Sequence, residues 1–312
     1  MKRGVEIQVK WMLGHKLITI VSFLFLVTGF AIYHVYSTVE STVEQMHEPL
    51  KFPESTFRST PILIEEKPPL SFLLLGVDER ENDRGRADTM IVVTVNPTDN
   101  TTKIISIPRD TYTTLIGLNK EDKINHSYAF GGVEMVKATV ENLMQIPIDY
   151  TVSINMEGFI GLVDAVEGVD VENNLAFEVD DFMYQLGPIH LQGEQALAFV
   201  RMRYDDPNGD FGRQERQKIV LNAIFNKLKS FNSVWKYKEL LAVAGDNVHT
   251  NLTFDEMKKI FKDYKEAFSH LESLSLQEGH GQISDGVWYY VLDSHELEKI
   301  QLQLQTHLEL KD

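Results

Sequence analysis

The sequence contains ten arginines, and eight of them fall in two windows: Arg80, Arg84, Arg86 and Arg109 in the first, Arg201, Arg203, Arg213 and Arg216 in the second. Every other Lys or Arg beyond residue 70 is a lysine. General surface charge does not discriminate between the two cations, whereas a planar guanidinium grips phosphate or carboxylate oxygens two at a time. A single arginine is commonly a structural ion-pair partner; two dense groups point to an anionic ligand. Arg201 and Arg203 stand two apart, so within one continuous helix they diverge. Both reach one ligand only if the helix ends there, and the following DDPNGD supplies an ending. Arg213, Arg216 and Gln217 are spaced i, i+3, i+4 and share a face in the first turns of the next helix, with Asp210 as its cap. A helix N-terminus lined with arginine suits an anion.

The first window adds acids. GVDERENDRGRADTMIVV places Asp78 at the end of one apolar run and Asp88 just before the next. Loops at strand ends are where α/β sheets hold ligands. Two carboxylates there can share a hard cation, and Mg²⁺ commonly takes one or two protein carboxylates and completes its shell with water and phosphate oxygens. The alternative is that both acids cap turns. Other chemistries lack their signatures. The ten histidines follow no ligand spacing, there is no H-E-x-x-H, G-x-S-x-G or P-loop pattern, and zero cysteines remove thiolate and disulfide chemistry. His126 and Ser127, in KINHSYAFGG, read as capping residues at a helix start.

Short apolar runs and amphipathic stretches must position these residues. Runs 72–77, 90–95 and 103–107 are strand-like in length and β-branching, and 127–146 has helical periodicity. Strands over 150–154 and 169–171 flank a helix at 158–166, and helices follow over 193–201, 213–229, 234–243 and 254–268. Strands over 273–277 and 287–292 precede a last helix over 294–308, with Ser294 as its N-cap. This alternation predicts an α/β fold, a three-layer α/β/α domain around a central mixed β-sheet.

Residues 17–36 are an apolar run of 20 without Asp, Glu, Lys or Arg, long enough to cross a hydrocarbon core of roughly 30 Å. Lys2, Arg3, Lys10 and Lys16 precede it against the single acid Glu6, and an acidic stretch follows. Positive flanks stay inside, which predicts a single-pass type II protein. Its parts are a cytoplasmic segment 1–16, a signal-anchor helix 17–36, a Pro-containing stalk 37–70 and an extracellular domain 71–312. A cleaved signal peptide competes with this reading but lacks an A-x-A site. With 30 basic and 46 acidic residues the formal net charge is −16, which excludes duplex nucleic acid as a partner.

Read in order, LLLGVDER–RGRADTMIVVTVNP, ISIPRDTY, DKINHSYAFGG, PIDYTVSINMEGF–LVDAVEGVDV, LQGEQALAFVRMR and DFGRQERQ resemble the LytR-CpsA-Psr family. The resemblance covers about half the chain, from residue 71 to 228, and no family motif follows residue 230. It implies a membrane-anchored, Mg²⁺-assisted phosphotransferase. Such an enzyme takes an anionic glycopolymer, such as wall teichoic acid, from an undecaprenyl-pyrophosphate lipid and leaves it on peptidoglycan as a phosphodiester. By motif position, Asp78 and Asp88 would be the magnesium ligands, and Arg86, Arg109, Arg201, Arg203, Arg213 and Gln217 would hold the pyrophosphate. Asp78, Asp88, Arg86 and Arg109 would form the catalytic set. A lipid-pyrophosphate phosphatase and a non-catalytic wall-polymer receptor remain as alternatives. The carboxylate pair disfavours the receptor, because acids beside an anion site weaken binding unless a cation intervenes.

Overall fold

Apolar runs punctuated by turn residues become the centre of a six-stranded sheet. The computed structural model describes residues 33–34, 36–52, 55–58, 62–79, 85–229 and 242–310. β1 (Leu70–Val77), β2 (Ala87–Asn96) and β3 (Thr101–Ser106) form an antiparallel meander. A small hairpin of β4 (Tyr112–Leu115) and β5 (Lys120–Lys123) leads into α1 (His126–Met144). β6 (Tyr150–Asn155) and α2 (Met156–Ala165) precede four short strands: β7 (Val169–Asn173), β8 (Phe177–Val179), β9 (Phe182–Tyr184) and β10 (Gly187–Leu191). Helices α3 (Gly193–Arg201) and α4 (Asp210–Lys229) follow. The C-terminal part adds β11 (Val248–Thr250), α5 (Phe254–Asp263), β12 (Leu271–Leu274), a hairpin of β13 (Gly279–Ser284) and β14 (Val287–Leu292), and α6 (Ser294–His307).

The main sheet runs β11-β6-β1-β2-β3-β12. It is mixed, as expected: β6 and β12 pair parallel with β1 and β3, and the other pairings are antiparallel. Successive strand residues face opposite sides, and both sides are covered. Leu73, Leu75, Met90, Val92 and Ile105 pack under Val136, Val140 and Met144 of α1 and Ile300 and Leu304 of α6. On the other face Phe72, Ile91, Val93 and Ile104 share a core with Ile260 of α5 and Tyr264. Burial on both faces explains why β1 reads as an unbroken apolar run. A third core joins α2, α3, α4 and the short strands around Phe177, Tyr184 and Phe199.

The chain divides into two compact units, 1–42 and 43–312. In the first, residues 33–34 and 36–42 are helical where described, and Thr38 Oγ1 donates to the His34 carbonyl at 2.8 Å. The rest of the expected anchor 17–36 lies outside the described residues, as do Arg80, Arg84 and most of the expected helix 234–243. Among the described residues no helix is long and apolar enough to cross a membrane. The segment read as a stalk is partly built into the second unit. Arg58 pairs with Asp149 at 3.0 Å, Ile64 is buried, and Glu48 N donates to Thr250 O at 2.8 Å along the β11 edge.

Two local expectations are revised. Helix α1 is interrupted at Gly132 (φ 65°, ψ −157°), a backbone conformation that side chains beyond glycine rarely take. The N-cap of α6 is Asp293, not Ser294: its carboxylate accepts from the backbone N–H of His295 and Glu296, both at 2.9 Å, and Ser294 is already helical.

The end of α6 carries a pH-sensitive contact. His307 is 5% exposed, with Nδ1 2.7 Å from Thr94 Oγ1 and Nε2 2.9 Å from Thr101 Oγ1. Burial, aided by Lys103, pushes the imidazole below its ordinary value, so the fold holds it neutral. The unfolded chain then binds the proton more readily. Stability should be full above pH ~6.5 and fall as pH drops through that value towards the lowered folded pKa, by at most about 1.4 kcal/mol per pH unit. Urea midpoints measured from pH 7.5 to 5 should show a steeper acid loss in wild type than in His307→Gln. Parallel curves would mean that His307 does not set this slope.

Candidate anion and metal site

The ends of three neighbouring strands supply the site. β1 ends at Val77 and β2 begins at Ala87 beside it; Ser106, the last residue of β3, pairs with Ile91 at the same end of the sheet. The β1–β2 register slips there: Gly76 faces Thr89 and Val77 faces Ala87, so Asp88 is an extra, bulged residue. Bulges re-aim a side chain out of the alternating pleat, and this one frees Asp88 from the sheet faces. The loop is closed by Asp78 N donating to Arg86 O at 3.0 Å. Gly85 is required in it: its φ is +72°, and a Cβ would come 1.8 Å from the Asp78 carbonyl oxygen.

Arg109, just beyond β3, connects this loop to the arginine helix. Its Nη1 donates to Asp88 Oδ2 at 2.8 Å, and its Nε lies 3.8 Å from both Asp110 Oδ2 and Asp210 Oδ1. Asp210 opens α4 and pairs with Arg213 Nη2 at 2.8 Å. A relay Asp88–Arg109–Asp210–Arg213 thus spans the two windows that the sequence singled out. Arg213 is only 5% exposed. Burial first, and the neighbouring Arg109 next among the like influences, press its guanidinium below the ordinary value, opposed by Asp210 and Asp88.

A cavity of about 280 Å³ opens over this relay, lined by Arg86, Asp88, Arg109, Asp110, Lys123, Asn125, His126, Arg203 and Trp288. Four cations against two carboxylates give it a net positive wall. A further observation concerns its arginines. The buried Nε atoms of Arg109 and Arg213 find no hydrogen-bond acceptor among the described residues. An unmatched buried donor is costly, more so when charged; Asp210 Oδ1, between the two arginines, is likewise buried without a hydrogen-bond partner among the described residues.

Of the expected residues, Arg86, Asp88, Arg109 and Arg203 line the cavity, and Arg213 stands behind Arg109 through Asp210. Helix α3 ends at Arg201, as the two-residue spacing required, but Arg201 is exposed, with Nη1 3.5 Å from the Met156 sulfur. Gln217 is half-buried one turn beyond Arg213. Arg216 is structural: it bonds the carbonyls of Phe199 and Met202 and the Asp206 carboxylate, closing the turn between α3 and α4. Sequence reasoning missed Asp110, Lys123, Asn125 and Trp288 and read His126 as a cap. His126 Nδ1 instead lies 3.0 Å from buried Asp122 Oδ1. Burial alone would raise the Asp122 carboxyl; Lys120, the Lys123 N–H and His126 outweigh it and hold it below the usual range. Lys123, Asn125 and His126 were at least inside a quoted motif, whereas Trp288 carried no signal.

The oxygens suit a hard cation. Asp88 accepts one hydrogen bond on each carboxylate oxygen, from Arg109 at 2.8 Å and from Asn125 Nδ2 at 3.2 Å. A carboxylate offers about four lone-pair sites, so coordination capacity remains. Asp78 is tied to the same loop by its backbone N–H to Arg86 O but does not line the cavity, and the described residues hold no group of three or more His, Cys, Asp or Glu arranged for a metal. Asp88, with water and phosphate oxygens completing the shell, fits the way Mg²⁺ is bound rather than an all-protein cage.

The model of the LytR_cpsA_psr family matches residues 30–306. Over 300 residues the chain is 44% identical to the polyisoprenyl-teichoic acid–peptidoglycan teichoic acid transferase TagU of Bacillus cereus, covering 96% of this chain and 97% of that one. The crystal structure of B. subtilis TagU is similar at a TM-score of 0.63 and 44% identity, over 78% of this chain and 99% of that one. YwtF (TagT) with bound octaprenyl pyrophosphate lipid is similar at 0.66 and 30% identity, over 84% and 100%.

Proposed function

The chain belongs to the LytR-CpsA-Psr family, and from that premise we propose that it moves wall teichoic acid from an undecaprenyl-pyrophosphate carrier to peptidoglycan. The observation that carries this reading is the cationic cavity walled by Arg86, Arg109, Lys123 and Arg203, with the buried Arg109 Nε lacking a hydrogen-bond acceptor among the described residues. Arg109, Arg213, Arg86 and Arg203 neutralise and orient the non-bridging oxygens of the pyrophosphate, where phosphoryl transfer concentrates charge. A peptidoglycan sugar hydroxyl attacks the polymer-side phosphorus. The new P–O bond makes the phosphodiester, the bond to the lipid-side phosphate oxygen breaks with its electron pair, and the hydroxyl proton is released. Asp78 and Asp88 would hold Mg²⁺, which supplies charge neutralisation on the phosphate oxygens. The test is incubation of the full chain with a synthetic lipid-pyrophosphate donor and peptidoglycan oligomers, with mass analysis of products. A polymer–peptidoglycan conjugate supports transfer; free polymer phosphate alone means that water is the acceptor and the protein is a phosphatase.

A lipid-borne donor is confined to a membrane surface, and a type II anchor at 17–36 would confine the enzyme with it. Protease added to intact wall-stripped cells should digest the chain beyond residue 37 and spare the basic N-terminal segment. Resistance of residues 71–312 until the membrane is opened would place them in the cytoplasm and end the wall-transferase reading.

A further inference from the structure

We propose that Trp288 is a saccharide-stacking platform that seats the first sugar of the donor, the ring bonded directly to the pyrophosphate; this rests on the transferase reading above. Among the described residues Trp288 is the one Phe, Tyr or Trp in the lining of the otherwise polar and charged cavity. It remains 45% exposed although it is among the largest apolar side chains of the fold. Exposure of that kind on a mobile tip would mean little, but this indole is fixed. It lies on the β13–β14 hairpin, where a Cβ on Gly281 would come 2.6 Å from its Nε1, so glycine lets the ring lie flat against the hairpin. Tyr290 stacks beside it, centroids 6.4 Å apart and planes 26° apart. Tyr290 in turn meets Phe211 of α4 edge-on at 5.3 Å, and its N–H donates to Asp110 O at 2.9 Å. Tyr289 packs edge-on against Tyr112 at 4.9 Å. The hairpin is therefore braced against both the arginine helix and the loop that carries Arg109.

An electron-rich aromatic face pre-set at the rim of an anion site matches one ligand chemistry well. A pyranose presents an apolar face of C–H bonds, weakly positive, that stacks on indole, while its hydroxyls stay wet. Because the first sugar of the donor is covalently attached to the phosphate that the arginines hold, it must lie within a bond or two of this cavity. A rigid aromatic captures it at small entropic cost. The C-terminal hairpin, beyond all the motifs of the catalytic half, would thus read the sugar while the arginines read the phosphates.

The experiment uses the full-length protein in detergent and two probes: inorganic pyrophosphate and an N-acetylhexosaminyl pyrophosphate carrying a short lipid. Wild type should bind both. Trp288→Ala should bind inorganic pyrophosphate as wild type does and lose about ten-fold in affinity for the sugar-bearing probe, with Trp288→Tyr recovering most of it. Equal loss for both probes would make Trp288 a structural prop of the anion site, and no loss for either would make it idle; each overturns the proposal. In the transfer reaction the variant should raise the KM for donor; a rise confined to peptidoglycan would place the acceptor sugar there instead and overturn the assignment. Wild type that fails to bind inorganic pyrophosphate at all would overturn the transferase reading itself, and the platform with it.

Discussion

Asp88→Asn should lower the rate of polymer transfer by about 10²–10³-fold, ~3–4 kcal/mol of transition-state stabilisation, and Asp88→Ala by at least as much. The two variants separate the role that the geometry gives this side chain, positioning Arg109, from the proposed one, holding a cation. Its Oδ2 accepts from Arg109 Nη1 at 2.8 Å and its Oδ1 from Asn125 at 3.2 Å. If positioning Arg109 were its whole task, the amide oxygen of asparagine could still accept that bond, and the loss would be a few-fold. A cation shared with Asp78 needs the charge, so Asn would fare nearly as badly as Ala. Initial rates against Mg²⁺ concentration, alongside melting curves to confirm the fold, decide the matter. Asp78→Ala should shift the Mg²⁺ dependence to higher concentration, and chelator in excess should silence the wild type. A near-normal rate for Asp88→Asn, or activity that survives the chelator, would remove Mg²⁺ from the mechanism and leave Asp88 as the partner of Arg109.

The sequence disclosed the cations of this site better than their organisation. Arginine clustering and the strand-end acids need only residue type and order, so Arg86, Asp88, Arg109, Arg203 and Arg213 could be picked out before any coordinates. The central meander was equally legible, because strands buried on both faces show as near-continuous apolar runs. What was hidden depends on tertiary register. The bulge that makes Asp88 an extra residue is a slip of one position between β1 and β2, and nothing in ADTMIVV announces it. Trp288 reaches the cavity from 162 positions beyond His126 by way of a hairpin outside the recognised motifs. Asp122 is buried in a small strand, where its charge is kept by Lys120, Lys123 and His126; spacing alone could not tell it from a solvated acid. Caps are read within a residue or two, which is the scale of the shift from Ser294 to Asp293.

Arg213 and Arg216 sit three apart on one helix and are indistinguishable by type and spacing, yet the proposed function gives them opposite tasks, and Lys substitutions should test it. Arg213→Lys is expected to lose ten- to a hundred-fold in transfer, roughly 1.5–3 kcal/mol, with a melting temperature close to wild type. A lysine ammonium can still neutralise Asp210, which Arg213 meets at 2.8 Å, so the buried pair survives. It cannot offer the second, in-plane donor that the unmatched Nε supplies in the arginine. Arg216→Lys should do the reverse. That guanidinium serves the Phe199 and Met202 carbonyls and Asp206 at once and packs over the Phe177 and Phe199 rings at 5.3 and 5.9 Å. An ammonium lacks the planar fork to meet all three, and the turn between α3 and α4 should loosen, lowering the melting temperature before it touches chemistry. Rates measured well below each variant's transition then isolate the anion site from the scaffold. If Arg213→Lys turns over as wild type does, or if its loss follows its melting temperature as that of Arg216→Lys should, the buried arginine at the head of α4 holds structure and not pyrophosphate.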